Sequence, residues 1–308
     1  MAKNKRLGKP YEDNREWPKY NEHLVQRGEF YLSLEFIAVW DTELSRMNAH
    51  KRGRHYLYPV PFIQWVAAIH VLFSMPYRQM EGFLRKLSPF VQQDLAADYT
   101  TLFRRIRLFE LPVSDTIGQT GKDVVVAIDS TGIKVTNRGE WMREKWRVHR
   151  GWIKVHVAID RKSRNILAME VTNETIPDEK CCIPLIDSAQ NSLQSGTVRK
   201  VLGDGAYDHI SIFNDLETRH ISSAIKSRSN ASRRSKGSSY RAQCAREFLD
   251  AGYEEWAQRH NYGSRWSVEG VFSSMKRIFG ESVKATSING MFHELPLKFS
   301  LYNILINC

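Results

Sequence analysis

From Gly121 onward the chain is a succession of β-branched and apolar stretches, each closed by turn residues, and this punctuation limits the folds open to it. Asp123-Val-Val-Val-Ala-Ile-Asp129-Ser-Thr-Gly-Ile-Lys-Val reads as a first strand. Residues 151–160 predict a second strand, 166–172 a third, 200–207 a fourth and 221–225 a fifth. Helices are expected around 182–189 and at 210–218. Three successive strands, then helix, strand, helix, strand and helix, describe an α/β domain built on a mixed sheet.

The first part of the chain has a different character. Residues 1–28 are polar and basic (Lys3, Lys5, Arg6, Lys9) and predict a loose tail. Residues 29–115 are helical in pattern, punctuated by Pro76 and Pro89. Tyr77–Leu87 places Met80, Phe83, Leu84 and Leu87 on one face, and Asp98–Phe109 carries Arg104, Arg105 and Arg107 behind a capping aspartate. A short helix, a polar turn and a basic helix outline a helix-turn-helix; a helical bundle with a solvated arginine face gives the same pattern. The apolar run Val60–Met75 is shorter than a membrane span and contains Gln64 and His70, so a buried helix is expected.

Lys plus Arg exceed Asp plus Glu, 45 to 34, and the net +11 suits a polyanion, nucleic acid before an anionic membrane surface. Cys181, Cys182, Cys244 and Cys308 lack C-x-x-C spacing and predict reduced thiols in a cytoplasmic protein, not disulfides or a zinc site. No apolar run follows Met1–Leu7, so no secretory signal is expected. Lys226–Arg246 has seven basic residues and no acidic one. It predicts an exposed segment that lays Arg233, Arg234 and Lys236 on phosphate, or else a solubilising loop.

Two aspartates stand at apolar strand ends. Asp129 closes a run of five apolar residues, where an unpaired carboxylate is costly, and Asp204 lies between two glycines that allow close approach. Downstream, Tyr262, Arg265, Glu269 and Lys276 fall within about 60° of one another on a helical wheel, beside an apolar face of Val268, Val271, Phe272, Met275, Ile278 and Phe279. A solvated charge stripe is the bland reading. With Asp129 and Asp204, however, Glu269 completes a set of three hard oxygen ligands suited to Mg²⁺ or Mn²⁺. Two such ions can drive an in-line phosphoryl displacement. Asp123, Asp160 and Asp208 are expected as strand-edge or turn groups.

Tyr262, Arg265, Glu269 and Lys276 also match the spacing Y-x2-R-x3-E-x6-K. Together with Val-Ala-Ile-Asp129-Ser-Thr-Gly, Gly203-Asp204-Gly-Ala-Tyr-Asp208 and Gly-Trp-Ile-Lys154-Val-His156-Val-Ala-Ile-Asp, they make the chain similar to DDE transposases of prokaryotic insertion sequences, of the insertion-sequence-five type. The helices that begin at Tyr77 and Asp98 resemble that family's helix-turn-helix, and the likeness spans roughly residues 30–306.

The resemblance implies an RNase H-like catalytic domain over 121–308, with an insertion at about 226–260, behind a DNA-binding domain over 29–115. It implies two Mg²⁺ or Mn²⁺ ions on Asp129, Asp204 and Glu269, phosphates on Arg265 and Lys276, and a DNA end oriented by Tyr262. The implied partners are double-stranded DNA, as terminal inverted repeats and target, and a second copy of the chain in the DNA complex. The implied reaction is cleavage at the element ends followed by joining of the 3′-hydroxyls to target, in the prokaryotic cytoplasm at the nucleoid. A metal-dependent nuclease without strand transfer and a domesticated DNA-binding protein remain as alternatives.

Overall fold

The computed structural model describes residues 5–6, 9–10, 15–135 and 152–308. Lys3, the side chains of Lys5, Arg6 and Lys9, and Gly151 at the start of the second expected strand lie outside them. Strands β1 (Lys5–Arg6) and β2 (Lys9–Pro10) pair antiparallel. Helices α1 (Trp17–Tyr31), α2 (Trp40–Asn48), α3 (Val60–Leu72), α4 (Tyr77–Val91) and α5 (Tyr99–Arg107) follow. Helix α1 corrects the expected loose tail from Trp17 onward. Pro18 sits in its first turn, where a fixed φ favours helix. Arg15 covers the Trp17 ring at 4.5 Å, and Trp17 meets Tyr20 edge-on at 5.7 Å.

The chain divides into two compact units, Met1–Trp65 with Cys308, and Val66–Asn307. The first has an aromatic core in which Phe36 lies 5.2 Å from Trp65 and Trp40 lies 5.3 Å from Phe62. Helices α4 and α5 belong to the second unit, with the sheet. There Met80 and Leu84 of α4 and Leu102 and Ile106 of α5 are buried. Asp98 caps α5, accepting from the amides of Thr100 and Thr101 at 3.0 Å each. Helix α4 runs past Pro89, where the sequence predicts its end. The carbonyl left without a partner is that of exposed Arg85, which water can serve. Val60–Leu72 is the expected buried helix, and no helix among the described residues is long and apolar enough to cross a membrane.

The sheet contains β3 (Asp123–Val135), β4 (Trp152–Asp160), β5 (Ile166–Asn173), β6 (Thr197–Gly203), β7 (Ser222–Ile225) and β8 (Ser282–Val283). Its order is β5-β4-β3-β6-β7. The pairs β3–β4 and β4–β5 are antiparallel, whereas β6 runs parallel to β3 and β7 parallel to β6. This is the RNase H-like arrangement, a mixed α/β sheet. Strand β6 pairs with β3 only as far as Ala127, and β8 joins the same edge only at Lys134 and Val135. Among the described strands nothing accompanies Ile128–Ile133 on that edge.

Among the described residues, five further helices belong to the unit: α6 (Asp178–Ser192), α7 (Ile210–Thr218), α8 (Ser239–His260), α9 (Trp266–Phe279) and α10 (Ile288–Asn307). Val126, Ile128 and Val201 point into a core with Cys182, Leu185 and Ile186 of α6 and Ile212, Phe213 and Leu216 of α7. Side chains of the opposite parity face the other way, toward α9. Helix α10 has no counterpart in the sequence reading. Its buried Asn303 accepts from the Ile166 amide and donates to the Ile166 carbonyl, 2.8 Å each, which fixes the start of β5.

Candidate active site

Ala127 of β3 and Leu202 of β6 are parallel partners, and two residues further along each chain stand Asp129 and Asp204. Asp204 continues in extended conformation (φ −82, ψ −177), so the period of two sends both carboxylates off the same face of neighbouring strands. The turn after Asp204 is held by its own side chain, whose Oδ1 accepts from the Ala206 amide at 2.8 Å. Gly203 makes room for the protein itself: a Cβ there would approach the Tyr207 ring to 3.1 Å.

Glu269 comes from α9, whose buried Val268, Val271, Phe272, Met275 and Phe279 carry it onto this face. Tyr262 and Arg265 do not belong to that helix. Asn261 adopts a left-handed conformation (φ 50), and Tyr262–Arg265 forms a 3-10 turn that leads into α9. Residues three apart eclipse in a 3-10 turn, so Arg265 still lies over the Tyr262 ring at 6.0 Å.

Arg265 is the keystone. Its Nη1 donates to Asp129 Oδ2 at 2.9 Å and its Nη2 to Glu269 Oε1 at 3.0 Å, with its side chain only 14% exposed. Burial pushes the Asp129 carboxyl up. The Ser130 amide, donating at 2.8 Å, and Arg265 pull it down, the Asp204 charge adds to the rise, and the net shift is upward. Asp129, Ser130, Glu269, Ser273 and Lys276 line one open cleft.

Tyr262 is buried, and burial pushes its hydroxyl up to about 12. That hydroxyl donates to the Gly203 carbonyl at 3.2 Å, immediately before Asp204. The structure thus places Tyr262 behind the site and not on its surface.

The remaining sequence candidates stand apart. Arg104 and Arg107 are exposed on α5, with Arg105 half-buried beside them. Arg233, Arg234 and Lys236 are exposed in the segment before α8, and Arg233 pairs with Asp250 at 3.0 Å. The stretch is tied to the protein at either side: Arg228 donates to the Gly205 carbonyl at 2.8 Å, and Arg241, in the first turn of α8, pairs with buried Asp208 at 2.6 Å. Asp160 accepts from the Lys162 and Ser163 amides of its own turn, and Asp123 pairs with Arg199 at 2.9 Å.

One polar group escaped the sequence reading. Asp178, at the start of α6, meets Lys154 Nζ at 2.8 Å and buried His156 Nδ1 at 3.1 Å. Burial raises its carboxyl, but hydrogen bonds from His156, Lys154 and Ser130 outweigh this and hold it well below the usual carboxylate range. The Lys154-Val-His156 pattern was the available signal; its acidic partner lies too far along the chain to be read from spacing.

Asp129 lies inside β3 and not at its end as the sequence predicts, because the strand runs on to Val135, whereas Asp204 directly follows β6. A mixed sheet of this order, with carboxylates on two neighbouring strands and a third on the covering helix, defines a class of phosphoryl-transfer enzyme. Residues 120–304, more than half of the chain, match the transposase DDE domain family, and a second transposase DDE domain family matches residues 25–138. The chain belongs to the DDE transposase family. Among solved structures it is similar to a piggyBac transposase synaptic complex with hairpin DNA (TM-score 0.43, 10% identity, 92% of this chain and 74% of that one). It is also similar to a Drosophila P element transposase strand transfer complex (TM-score 0.36, 11% identity, 88% of this chain and 70% of that one). These scores are too low to add to what the strand order shows.

DDE transposases cut and join DNA with divalent metal ions. The donors here fit such ions in kind: hard carboxylate oxygens with a positive charge, Arg265, already between two of them. Among the described residues no three His, Cys, Asp or Glu side chains gather closely enough to hold an ion. The Arg265 guanidinium stands between the Asp129 and Glu269 carboxylates and pairs with both.

A pH effect follows from Asp129. A carboxyl raised on folding contributes stability that is present below its unfolded value and lost as pH rises through its folded value. At neutral pH the metal-free protein therefore carries a cost that Asp129→Asn removes. The variant should melt higher than wild type at neutral pH, with the gain fading toward about pH 4. A lower melting temperature at neutral pH would mean that the Arg265 pair outweighs burial.

Proposed function

We propose that the chain is the transposase of a prokaryotic insertion sequence of the insertion-sequence-five type. In this reading it binds the terminal inverted repeats of its own element, cuts at the ends and joins the 3′-hydroxyls to target DNA. The observation that carries the reading is Arg265 joining Asp129 and Glu269 beside Asp204, over a cleft lined by Lys276, in a chain of this family. Two Mg²⁺ or Mn²⁺ ions on the three carboxylates would activate the attacking oxygen and stabilise the departing one.

The protein's own groups do the rest. Lys276 offers a fixed cation to the scissile phosphate. Arg265, once released from its carboxylates, offers a second. Tyr262 acts through the Gly203 carbonyl, holding the strand end that aims Asp204. Exposed Arg104 and Arg107 of α5 contact end DNA, with Arg105 beside them, and Arg233, Arg234 and Lys236 lie on its backbone. The helical region 29–115 supplies end recognition and 121–308 the chemistry. The complex with DNA is a homodimer, and the protein works at the nucleoid.

The test uses purified full-length protein, Mg²⁺ and DNA bearing the repeats that flank the gene. Cutting at the repeat ends with joining to a second DNA is expected. Cutting without joining would favour a nuclease, and binding without cutting a domesticated regulator. In the same system, Arg104→Ala with Arg107→Ala should flatten the salt dependence of binding by about two units of log K per log salt. An unchanged slope would remove α5 from the DNA interface.

A further inference from the structure

We propose that the turn between β4 and β5, with the outer face of α9, forms a second DNA-strand site continuous with the catalytic cleft. Arg161, Lys162 and Arg164 hold phosphates there beside Trp266. The proposal rests on the transposase reading only for the identity of the polyanion.

The turn is rigid. Buried Asp160 accepts from the amides of Lys162 at 3.0 Å and Ser163 at 3.1 Å and from the Ser163 hydroxyl at 2.6 Å. The Arg164 amide donates to the Asp160 carbonyl at 2.8 Å, and the Arg161 amide to Val125 at 2.9 Å. Three cations are thereby presented within four residues; Arg161 donates to the Ser264 hydroxyl at 3.5 Å, and no ion pair to any of the three is found among the described residues. They line one open cleft with Ser264, Trp266 and Gly270.

Two positions in this cleft run against the preference of the fold, in opposite directions. Arg164 has φ 63, a conformation that favours glycine or asparagine, yet a long cation stands there. Gly270 lies in the middle of α9, where alanine is the better helix former, yet a Cβ there would meet nothing within 4 Å. The protein's own packing requires neither residue. A strand that needs a charge at one point and close approach to the helix at the other accounts for both.

Trp266, 65% exposed, adds an aromatic platform to the cations, the pairing that suits nucleic acid better than an acidic peptide. Trp266, Glu269, Gly270, Ser273, Lys276 and Arg277 share one side of α9 within about 120°. Glu269 and Lys276 line the catalytic cleft and Gly270 the second one, so the two meet along this stripe. The 14 residues of α9 span about 21 Å, roughly six nucleotides of one strand of a duplex.

The test measures binding by full-length protein of a labelled duplex of arbitrary sequence and of the same sequence as a single strand, across a salt series. Poly-L-glutamate serves as a competing polyanion. Arg164→Gly and Gly270→Leu should each melt at or above the wild-type temperature and yet bind DNA about tenfold more weakly. Replacing Arg161, Lys162 and Arg164 together by alanine should flatten the salt slope by about two to three units. Loss on both probes supports a site for paired DNA, and loss on the single strand alone a site for a separated end. Wild-type affinity in the two single variants would overturn the site, as would equal loss of DNA and poly-L-glutamate binding. A wild-type protein that binds neither DNA would overturn the transposase reading as well.

Discussion

Glu269→Gln and Asp204→Asn should each lower strand cleavage by at least about a thousandfold while leaving DNA binding close to wild type. A carboxamide keeps the shape of the side chain and loses the charge that holds a divalent ion. The fold should tolerate both changes. In Asp204→Asn the carboxamide oxygen can still accept from the Ala206 amide that closes the turn, and in Glu269→Gln the guanidinium of Arg265 still has Asp129. Single-turnover cleavage and fluorescence anisotropy on the same preparations separate chemistry from binding. Cleavage at the wild-type rate in either variant would show that the reacting carboxylates are others. Buried Asp208, four residues beyond Asp204, would be the first to examine, although Arg241 already neutralises it.

The second large effect is on stability. Phe272, 7% exposed, belongs to the buried face of α9, and Phe272→Ala should cost about 3–5 kcal/mol. Lys276 stands one turn along on the cleft side, and Lys276→Ala should stay within about 0.5 kcal/mol of wild type while cleavage or joining falls. Arg265→Ala should fall between them in the metal-free protein, because it leaves Asp129 and Glu269 facing each other, and added Mn²⁺ should recover much of the loss. Chemical denaturation with and without metal measures all three. If Lys276→Ala unfolds as readily as Phe272→Ala, the lysine supports the fold and not the reaction.

The sequence displays the sheet well because its central strand is rich in β-branched residues, with Val124, Val125, Val126 and Ile128 in its first half, and is bounded by turns: Asp123–Val135 and the helix Ile210–Thr218 are found at the expected limits. Hydrophobic periodicity is a local signal, and the misses are non-local. Helix α1 has no buried residue to reveal it, only an early proline and an aromatic pair. Helix α10 is apolar on most sides, so no face stands out. A helical wheel starting at Tyr262 treats its four residues as one helix, whereas Asn261 and the 3-10 turn set Tyr262 and Arg265 before α9 begins. That Tyr262 faces inward depends on Gly203, 59 positions away, and no spacing rule reaches that far.

The unaccompanied stretch of β3 gives the protein an uncommon kind of central strand. The middle strand of a sheet is ordinarily the last to yield its amide protons, because a neighbour seals each edge. Here β4 pairs with one edge from Val126 to Lys134, while among the described strands none pairs with the other edge between Ala127 and Lys134. The most deeply embedded strand of the molecule thus has a window cut into it at the residues next to Asp129. Deuterium would enter there ahead of the flanking segments, and anything lodged in the cleft would close the window. Exchange at Gly132, whose amide faces the open edge, therefore makes a label-free gauge of occupancy, able to follow DNA or metal arriving at the site without waiting for a bond to break.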